Sequence, residues 1–187
     1  GLAVVAGVES IELFRGAEVV ARADAPYGAS ACAISPDATE VAVGGKDNKV
    51  HVYTVEGAAL VPAAELEKHR GTVTCLAYSP DGTMLASADS NREAAVWDRA
   101  TREVKMSRMV FHSARIDCLA WSPDSVKLAT GSLDFDVLVW DTTLPATKRV
   151  RIGPAHQGGV TALCWAAEDR LVSAGQDCVI REWQREA

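Results

Sequence analysis

Four side chains between residues 112 and 140 are of types that could carry out nucleophilic catalysis. His112, Thr130 and Asp134 offer an imidazole, a hydroxyl and a carboxylate, which together can serve as base, nucleophile and orienting group. Trp140 follows within the string "VLVWD". The same residue types also suit a buried hydrogen-bonded network that holds two loops together. Their spacing alone leaves both interpretations open.

The set recurs along the chain, and this recurrence favours the structural interpretation. The other copies are His156, Ser173, Asp177 and Trp183, and, earlier in the chain, His69, Ser87, Asn91 and Trp97. A catalytic site is usually built once in a fold, whereas these residues return at a fixed spacing. Thr130 and Ser173 also lie within the predicted strands "LATGS" and "LVSAG", not at an exposed position beside an oxyanion hole. We therefore predict three structural tetrads, no catalytic residue and no enzymatic activity.

The elements that must position these tetrads repeat every 43–44 residues. Aromatic residues close successive repeats at Tyr53, Trp97, Trp140 and Trp183, and a Ser-Pro-Asp turn begins at Ser35, Ser79 and Ser122. Short apolar runs between turns, such as "VTCLAYS" and "MLASAD", are typical of strands. A period of about 40–45 residues with a Trp-Asp ending predicts a β-propeller with one four-stranded blade per repeat.

The repeats divide the chain into five segments of an all-β propeller. Residues 1–24 contain three strand-like pieces of a partial blade, full blades follow at 25–68, 69–111 and 112–155, and residues 156–187 form a C-terminal blade that lacks its outer strand. Seven blades need about 300 residues. The 187 residues therefore predict an open arc of four to five blades from a seven-bladed ring. We expect the start to be cut from a longer chain and the C-terminal end to be genuine.

The Trp-Asp period resembles that of WD-repeat proteins, in which such a tetrad ties the loop entering a blade to the tight turn within it. On this resemblance the tetrads of His112 and His156 are complete. Asn91 occupies the aspartate position of the His69 tetrad and brings no charge, so that tetrad is expected to be weaker. The first full repeat has Ala25, Val43, Asp47 and Tyr53 at the four positions. We expect no network there.

Composition and charge exclude several classes of function. The net charge is −6 and the isoelectric point about 5.2, which argues against a nucleic-acid partner. No apolar run approaches the roughly 18 residues that span a bilayer, so no membrane partner is expected. The five cysteines are odd in number and lack CxxC spacing, so we expect mostly buried thiols and no metal site. The string "GGKDNK" lacks P-loop spacing, and we predict no cofactor and no small-molecule substrate.

Several longer strings resemble the C-terminal propeller of the actin-interacting protein 1 family of plants. They are "VAVGGKDNKVHVYTVEG", "HRGTVTCLAYSPDGTMLASADSNREAAVWDR", "VFHSARIDCLAWSPDSVKLATGSLD" and "AHQGGVTALCWAAEDRLVSAGQD". The resemblance implies a non-enzymatic protein of the cytoplasm and cytoskeleton, with two linked seven-bladed propellers. Its implied partners are actin filaments and cofilin (actin-depolymerising factor), and its implied role is to promote filament disassembly with cofilin. The other interpretation left open is a generic WD-repeat scaffold or adaptor in another multiprotein complex.

The resemblance names no residue that touches a partner, so loop position is the guide. The turn next to the tetrad aspartate and the loop beside the tetrad histidine are expected to be exposed. We therefore predict Lys46, Arg70, Arg115 and Gln176 as candidate partner-facing residues.

Overall fold

The structure, a computed structural model, describes residues 1–184. Within these residues it contains eighteen β-strands, one 3₁₀ turn at Ala146–Lys148 and no α-helix. The strands form five antiparallel sheets, each made of strands that follow one another in the chain. The predicted all-β class and the arc of propeller-like sheets are thus confirmed. No helix in the described residues is long and apolar enough to cross a membrane.

The five sheets succeed one another along the chain, and each strand pairs with its sequence neighbours. The first sheet contains β1 (Leu2–Ala6), β2 (Ser10–Arg15) and β3 (Glu18–Asp24). The second contains β4 (Ala29–Ile34), β5 (Glu40–Gly45), β6 (Lys49–Glu56) and β7 (Ala59–Glu67). The third contains β8 (Val73–Tyr78), β9 (Met84–Asp89), β10 (Ala94–Asp98) and β11 (Val104–Met109). The fourth contains β12 (Ile116–Trp121), β13 (Lys127–Ser132), β14 (Val137–Asp141) and β15 (Val150–Ile152). The fifth contains β16 (Val160–Ala167), β17 (Arg170–Gly175) and β18 (Ile180–Gln184).

The segment predicted as the C-terminal blade, 156–187, holds three strands in its described part, and residues 185–187 lie outside the described residues.

The Ser-Pro-Asp turns join the first two strands of the second, third and fourth sheets. In the third sheet the Ser79 hydroxyl donates to a carboxylate oxygen of Asp81 at 2.6 Å and accepts from the amide of Met84 at 2.9 Å. The fourth residue of each turn has a left-handed φ: +58° at Ala38, +71° at Gly82 and +61° at Ser125. Glycine adopts this φ without steric cost, and at the other two positions the serine–aspartate bonds hold a non-glycine residue in it.

Hydrophobic clusters join each sheet to the next, so the core runs between the sheets in a row. The cluster between the third and fourth sheets includes Met109, Leu128 and Trp140, each almost fully buried. Similar clusters lie between the first and second, second and third, and fourth and fifth sheets. The first strands of the last four sheets, β4, β8, β12 and β16, lie next to one another. This arrangement places them on the inner side of the arc and β7, β11 and β15 on the outer rim.

The cysteines depart from the expectation of buried thiols. All five are free; Cys32, Cys75 and Cys118 are partly buried between the inner strands, whereas Cys164 and Cys178 are exposed. Cys164 lies on β16, on the side of the fifth sheet where the described chain supplies no further sheet to cover it. Cys178 occupies a left-handed position, φ +58°, in the turn between β17 and β18. An apolar sequence neighbourhood therefore predicted strand residues but not their burial.

Candidate functional site

The fourth sheet brings together the four residues of the His112 tetrad. His112 lies in the loop before β12, and its Nε2 is 2.7 Å from the hydroxyl of Thr130 on β13. The indole N–H of Trp140 donates to the same hydroxyl at 3.0 Å. On its other side, His112 Nδ1 is 3.0 Å from a carboxylate oxygen of Asp134, in the turn after β13. The tetrad thus links the loop entering the sheet, the turn within it and two strands.

One proton arrangement satisfies every polar atom of this tetrad. The Asp134 carboxylate can only accept, so His112 Nδ1 carries the proton, and Nε2 then accepts from the Thr130 hydroxyl. Burial by itself raises the pKa of Asp134, but the hydrogen bonds from His112 and from the Ser113 amide outweigh it and lower that pKa to about 2. Thr130 is fully buried, as are the equivalent Ser87 and, almost completely, Ser173. A hydroxyl shielded in this way cannot attack a substrate that arrives from solvent.

The fifth sheet repeats the arrangement around His156 and adds a cation. His156 Nε2 is 2.7 Å from the Ser173 hydroxyl, to which the Trp183 indole donates at 2.8 Å. Asp177 accepts from His156 Nδ1 at 2.9 Å and from Arg181 at 2.9 Å. Burial opposes the ionisation of Asp177, but the bonds from Arg181 and His156 prevail and lower its pKa well below the usual range.

The third sheet corrects the predicted membership of its tetrad. His69 Nε2 lies 2.6 Å from the Ser87 hydroxyl, and Trp97 donates to that hydroxyl at 2.8 Å. The acid beside His69 is Asp89, the last residue of β9, with a carboxylate oxygen 3.3 Å from Nδ1. Asn91 is exposed and contributes only its backbone N–H, which Asp89 accepts at 2.9 Å. The prediction of Asn91 as the fourth member is wrong, because a buried carboxylate two residues earlier already reaches the histidine.

The contact between His69 and Asp89 is poorly aligned for a hydrogen bond, and His69 Nδ1 has no well-formed partner among the described residues. The Asp89 carboxylate is otherwise fully engaged, since it accepts from the amides of Arg70, Asn91 and Glu93 at 2.9–3.2 Å. Burial opposes its ionisation, but His69 and these amides lower its pKa. The third tetrad therefore keeps a charged aspartate, but the contact between this aspartate and the histidine is less well aligned than in the fourth and fifth sheets.

The second sheet, expected to lack a network, contains a different one. The Tyr27 hydroxyl is 2.9 Å from that of Tyr53, and the Tyr27 ring stacks on the His51 ring with centroids 3.6 Å apart. His51 Nε2 in turn lies 2.9 Å from a carboxylate oxygen of Asp47. Burial and the Tyr53 bond raise the pKa of Tyr27 above its usual range. A tyrosine two residues after Ala25 thus substitutes for the missing histidine.

The four candidate partner-facing residues lie at one edge of the sheets, which we call the loop edge. It consists of the loops 25–28, 69–72, 112–115 and 156–159 and the turns 45–48, 89–92, 132–135 and 175–178. One backbone bond ties loop to turn in each of the second to fifth sheets: Lys46 to Gly28, Ser90 to Thr72, Leu133 to Arg115 and Gln176 to Gly159, all at 2.9–3.0 Å. Lys46, Arg70, Arg115 and Gln176 are all exposed on this edge.

A hollow of about 370 Å³ opens where the inner strands meet. It is lined by hydroxyl and charged side chains, including Ser30, Thr74, Arg115, Asp117 and Thr161. The Arg115 guanidinium donates to the Asp117 carboxylate at 2.6 Å, and both side chains line the hollow. Arg115 is thus a candidate partner-facing residue that also borders this hollow. Lys46, Arg70 and Gln176 do not line it.

The described residues contain no group of three or more His, Cys, Asp or Glu side chains that could hold a metal ion. In the second to fifth sheets, the polar side chains of each cluster form hydrogen bonds with other members of the same cluster. What the arrangement offers chemically is a rigid edge with exposed basic and amide side chains. Such an edge is suited to contact with another macromolecule.

Comparison with known proteins is consistent with this architecture. The family profile described as "WD domain, G-beta repeat" matches residues 25–54, 60–98, 105–141 and 147–184. The chain is 46% identical over 92% of its length to actin-interacting protein 1-2 of Arabidopsis thaliana. It is 43% identical over 97% of its length to a 66 kDa stress protein of Physarum polycephalum, and 35% identical over 86% to actin-interacting protein 1 of Drosophila melanogaster. The matched part is 26–30% of the length of these relatives.

Proposed function

The chain belongs to the WD-repeat family, and from this premise we propose that it is a non-enzymatic interaction module that acts with cofilin to promote disassembly of actin filaments. The similarity to proteins named for an interaction with actin supports an actin-related role. Its site of action is then the cytoplasm and its cytoskeleton. The mechanism is preferential binding to the cofilin-distorted filament, which shifts the population of filaments toward fragmentation.

The observation that carries this proposal is the loop edge. Its loops are held by three tetrads and by a backbone bond in each of the second to fifth sheets, so they present their side chains in fixed positions. Rigid loops bind with less loss of conformational entropy than mobile ones. Arg70 has no ion-pair partner in the described residues and supplies positive charge at this edge of a chain whose net charge is −6, whereas Arg115 is paired with Asp117. Contacts of this kind let an acidic protein approach an acidic filament.

The test is imaging of single actin filaments with limiting cofilin, with and without the intact protein that carries this chain. We expect faster severing only when cofilin is present. The double charge reversal Arg70→Glu/Arg115→Glu is expected to reduce this effect, whereas Arg15→Glu, at an exposed arginine on β2, should not.

A folded protein that leaves severing unchanged would contradict the actin proposal and favour the second interpretation, an adaptor in another multiprotein complex. If severing is accelerated equally by the double variant and the unsubstituted protein, Arg70 and Arg115 are not the contacts.

A further inference from the structure

β11, the residues that follow it and the end of the 3₁₀ turn before β15 form a patch that the tetrads and the loop edge do not use. β11 is the outer strand of the third sheet and β15 that of the fourth. The 3₁₀ turn Ala146–Lys148 packs beside β11, with Ala146 against the cluster that contains Met109. We call the surface formed by Lys105, Arg108, Val110, Phe111 and Arg149 the rim patch.

At the centre of the rim patch an arginine is stacked on an aromatic ring. The guanidinium carbon of Arg149 lies 3.5 Å from the centre of the Phe111 ring, whose other neighbour is Trp140 with centroids 6.0 Å apart. Arg149 Nε is buried and has no hydrogen-bond partner among the described residues. Its only polar contact there is a long one, 3.5 Å, from Nη1 to the Thr147 carbonyl. The stack fixes the plane of the guanidinium and leaves donors for a ligand.

The rim patch concentrates positive charge in an acidic chain. Lys105, Arg108 and Arg149 have no carboxylate within 4.0 Å in residues 1–184. The neighbouring Arg151, by contrast, pairs with Asp136 at 2.6 Å. These three cations therefore have no ion-pair partner within the described residues. An approaching carboxylate would supply it.

Apolar surface lies beside this charge. Val110 is 54% exposed and Phe111 41% exposed, directly after the end of β11. Large exposed apolar side chains next to unpaired cations are typical of protein-binding surfaces. The edge of β11 is poorly suited to adding a further strand, because a bulge interrupts its pairing and Arg108 has a left-handed φ of +62°. A partner must then be recognised through its side chains.

We propose that the rim patch binds an acidic, extended segment of another protein. A carboxylate of that segment pairs with the outward N–H groups of Arg149, and an adjacent apolar side chain packs on Phe111 and Val110. The planar guanidinium matches the two oxygens of a carboxylate. The proposal concerns the outer rim and does not depend on the actin role of the loop edge. Nucleic acid is disfavoured by the net charge of −6.

The test is fluorescence anisotropy on the intact protein with a labelled dodecapeptide of alternating acidic and apolar residues. The matched probe replaces each Asp and Glu by Asn and Gln. We expect the acidic peptide to bind at least about tenfold tighter than the amide peptide, and Arg149→Gln to weaken it about tenfold. Arg108→Gln, at an exposed side chain near the end of β11, should weaken it to a smaller extent. Arg15→Gln, which removes the same charge elsewhere, should stay within about twofold.

Three outcomes would overturn the proposal. The first is equal binding of the acidic and amide peptides, and the second is equal weakening by Arg149→Gln and Arg15→Gln. The third is displacement of the peptide by inorganic phosphate or by phosphatidylserine vesicles at lower concentration than by unlabelled acidic peptide, which would indicate a phosphate or lipid site. Thermal melts of each variant establish that it is folded. If Arg149→Gln does not fold, Arg108→Gln is the variant that decides, and no weakening by Arg108→Gln would then overturn the proposal.

Discussion

His69 Nδ1 lies 3.3 Å from a carboxylate oxygen of Asp89, and this pair shifts the acidic member of the third tetrad by two residues along the chain. In the fourth and fifth sheets the carboxylate comes from the turn after the second strand, as Asp134 and Asp177. In the third sheet it comes from the end of the strand itself. The turn that carries Asn91 is organised by the same carboxylate, which accepts from its backbone.

Asp89 is therefore expected to matter for stability, and Asn91 is not. Asp89→Asn should lower the free energy of unfolding by about 1–3 kcal/mol, because the buried His69 and three amides lose a charged acceptor. Asn91→Ala should change it by less than about 0.5 kcal/mol, since this side chain is exposed. Urea unfolding of the two variants makes the comparison. A larger loss for Asn91→Ala would restore the assignment made from the repeat alone.

The His112 tetrad provides a second prediction. His112→Ala should lower the free energy of unfolding by about 1–3 kcal/mol, because Asp134 and Thr130 both lose a buried partner. A loss of this kind lowers the melting temperature. Thermal melts of the intact protein measure it, with the exposed neighbour Ser113→Ala as control. An unchanged melting temperature for His112→Ala would show that the tetrad does not stabilise the fold.

The pH dependence of stability follows from Asp134. Its pKa is about 2 in the folded protein, below the ordinary value of 3.8. A carboxyl with a lowered pKa stabilises the fold above its unfolded pKa, and this contribution is lost as the pH falls from about 4 to about 2. The difference in unfolding free energy between the unsubstituted protein and Asp134→Asn should therefore shrink over this interval. Urea titrations between pH 5 and pH 2 give that difference. A constant difference would contradict the assigned pKa.

The repeat was sufficient to predict the all-β propeller class, because turn residues and closing tryptophans recur at a spacing that fits one four-stranded unit. It also predicted which histidines, hydroxyl residues and tryptophans meet, since they hold the same position in each sheet. His112 with Thr130 and His156 with Ser173 both follow this rule. Equivalent positions in a repeat have equivalent surroundings, and this equivalence is the physical basis of the success.

The same rule could not predict where one sheet departs from the others. Asp89, at the end of β9, and Tyr27, in the loop before β4, each lie two residues from the expected position, yet their side chains reach His69 and Tyr53. The sequence did contain one signal for the third sheet, since Asp89, two residues before Asn91, was a second possible partner for His69. Arg149 on Phe111 joins residues that the repeat does not relate, so only the packing of β11 against the following sheet reveals it.

The second and third sheets are also joined by a polar clamp centred on Glu40. Its carboxylate accepts two bonds from Arg102 at 2.7 Å, one from Tyr78 at 2.7 Å and one from Arg99 at 3.3 Å. Burial by itself raises the pKa of Glu40, but Arg102 and Tyr78 outweigh it and lower the pKa. These partners are 38–62 positions away in the chain, so the clamp holds neighbouring sheets in register.

Glu40→Gln should lower the free energy of unfolding by about 1–3 kcal/mol, because the amide turns an N–H group toward the guanidinium of Arg102. The matched control is Glu65→Gln, which removes a carboxylate from the exposed pair with Lys49 and should leave stability unchanged. A double-mutant cycle with Arg102→Ala separates the clamp from other effects, and the two substitutions should be strongly non-additive. Additive losses, or a loss for Glu65→Gln as large as that for Glu40→Gln, would mean that the clamp contributes no more than a surface ion pair.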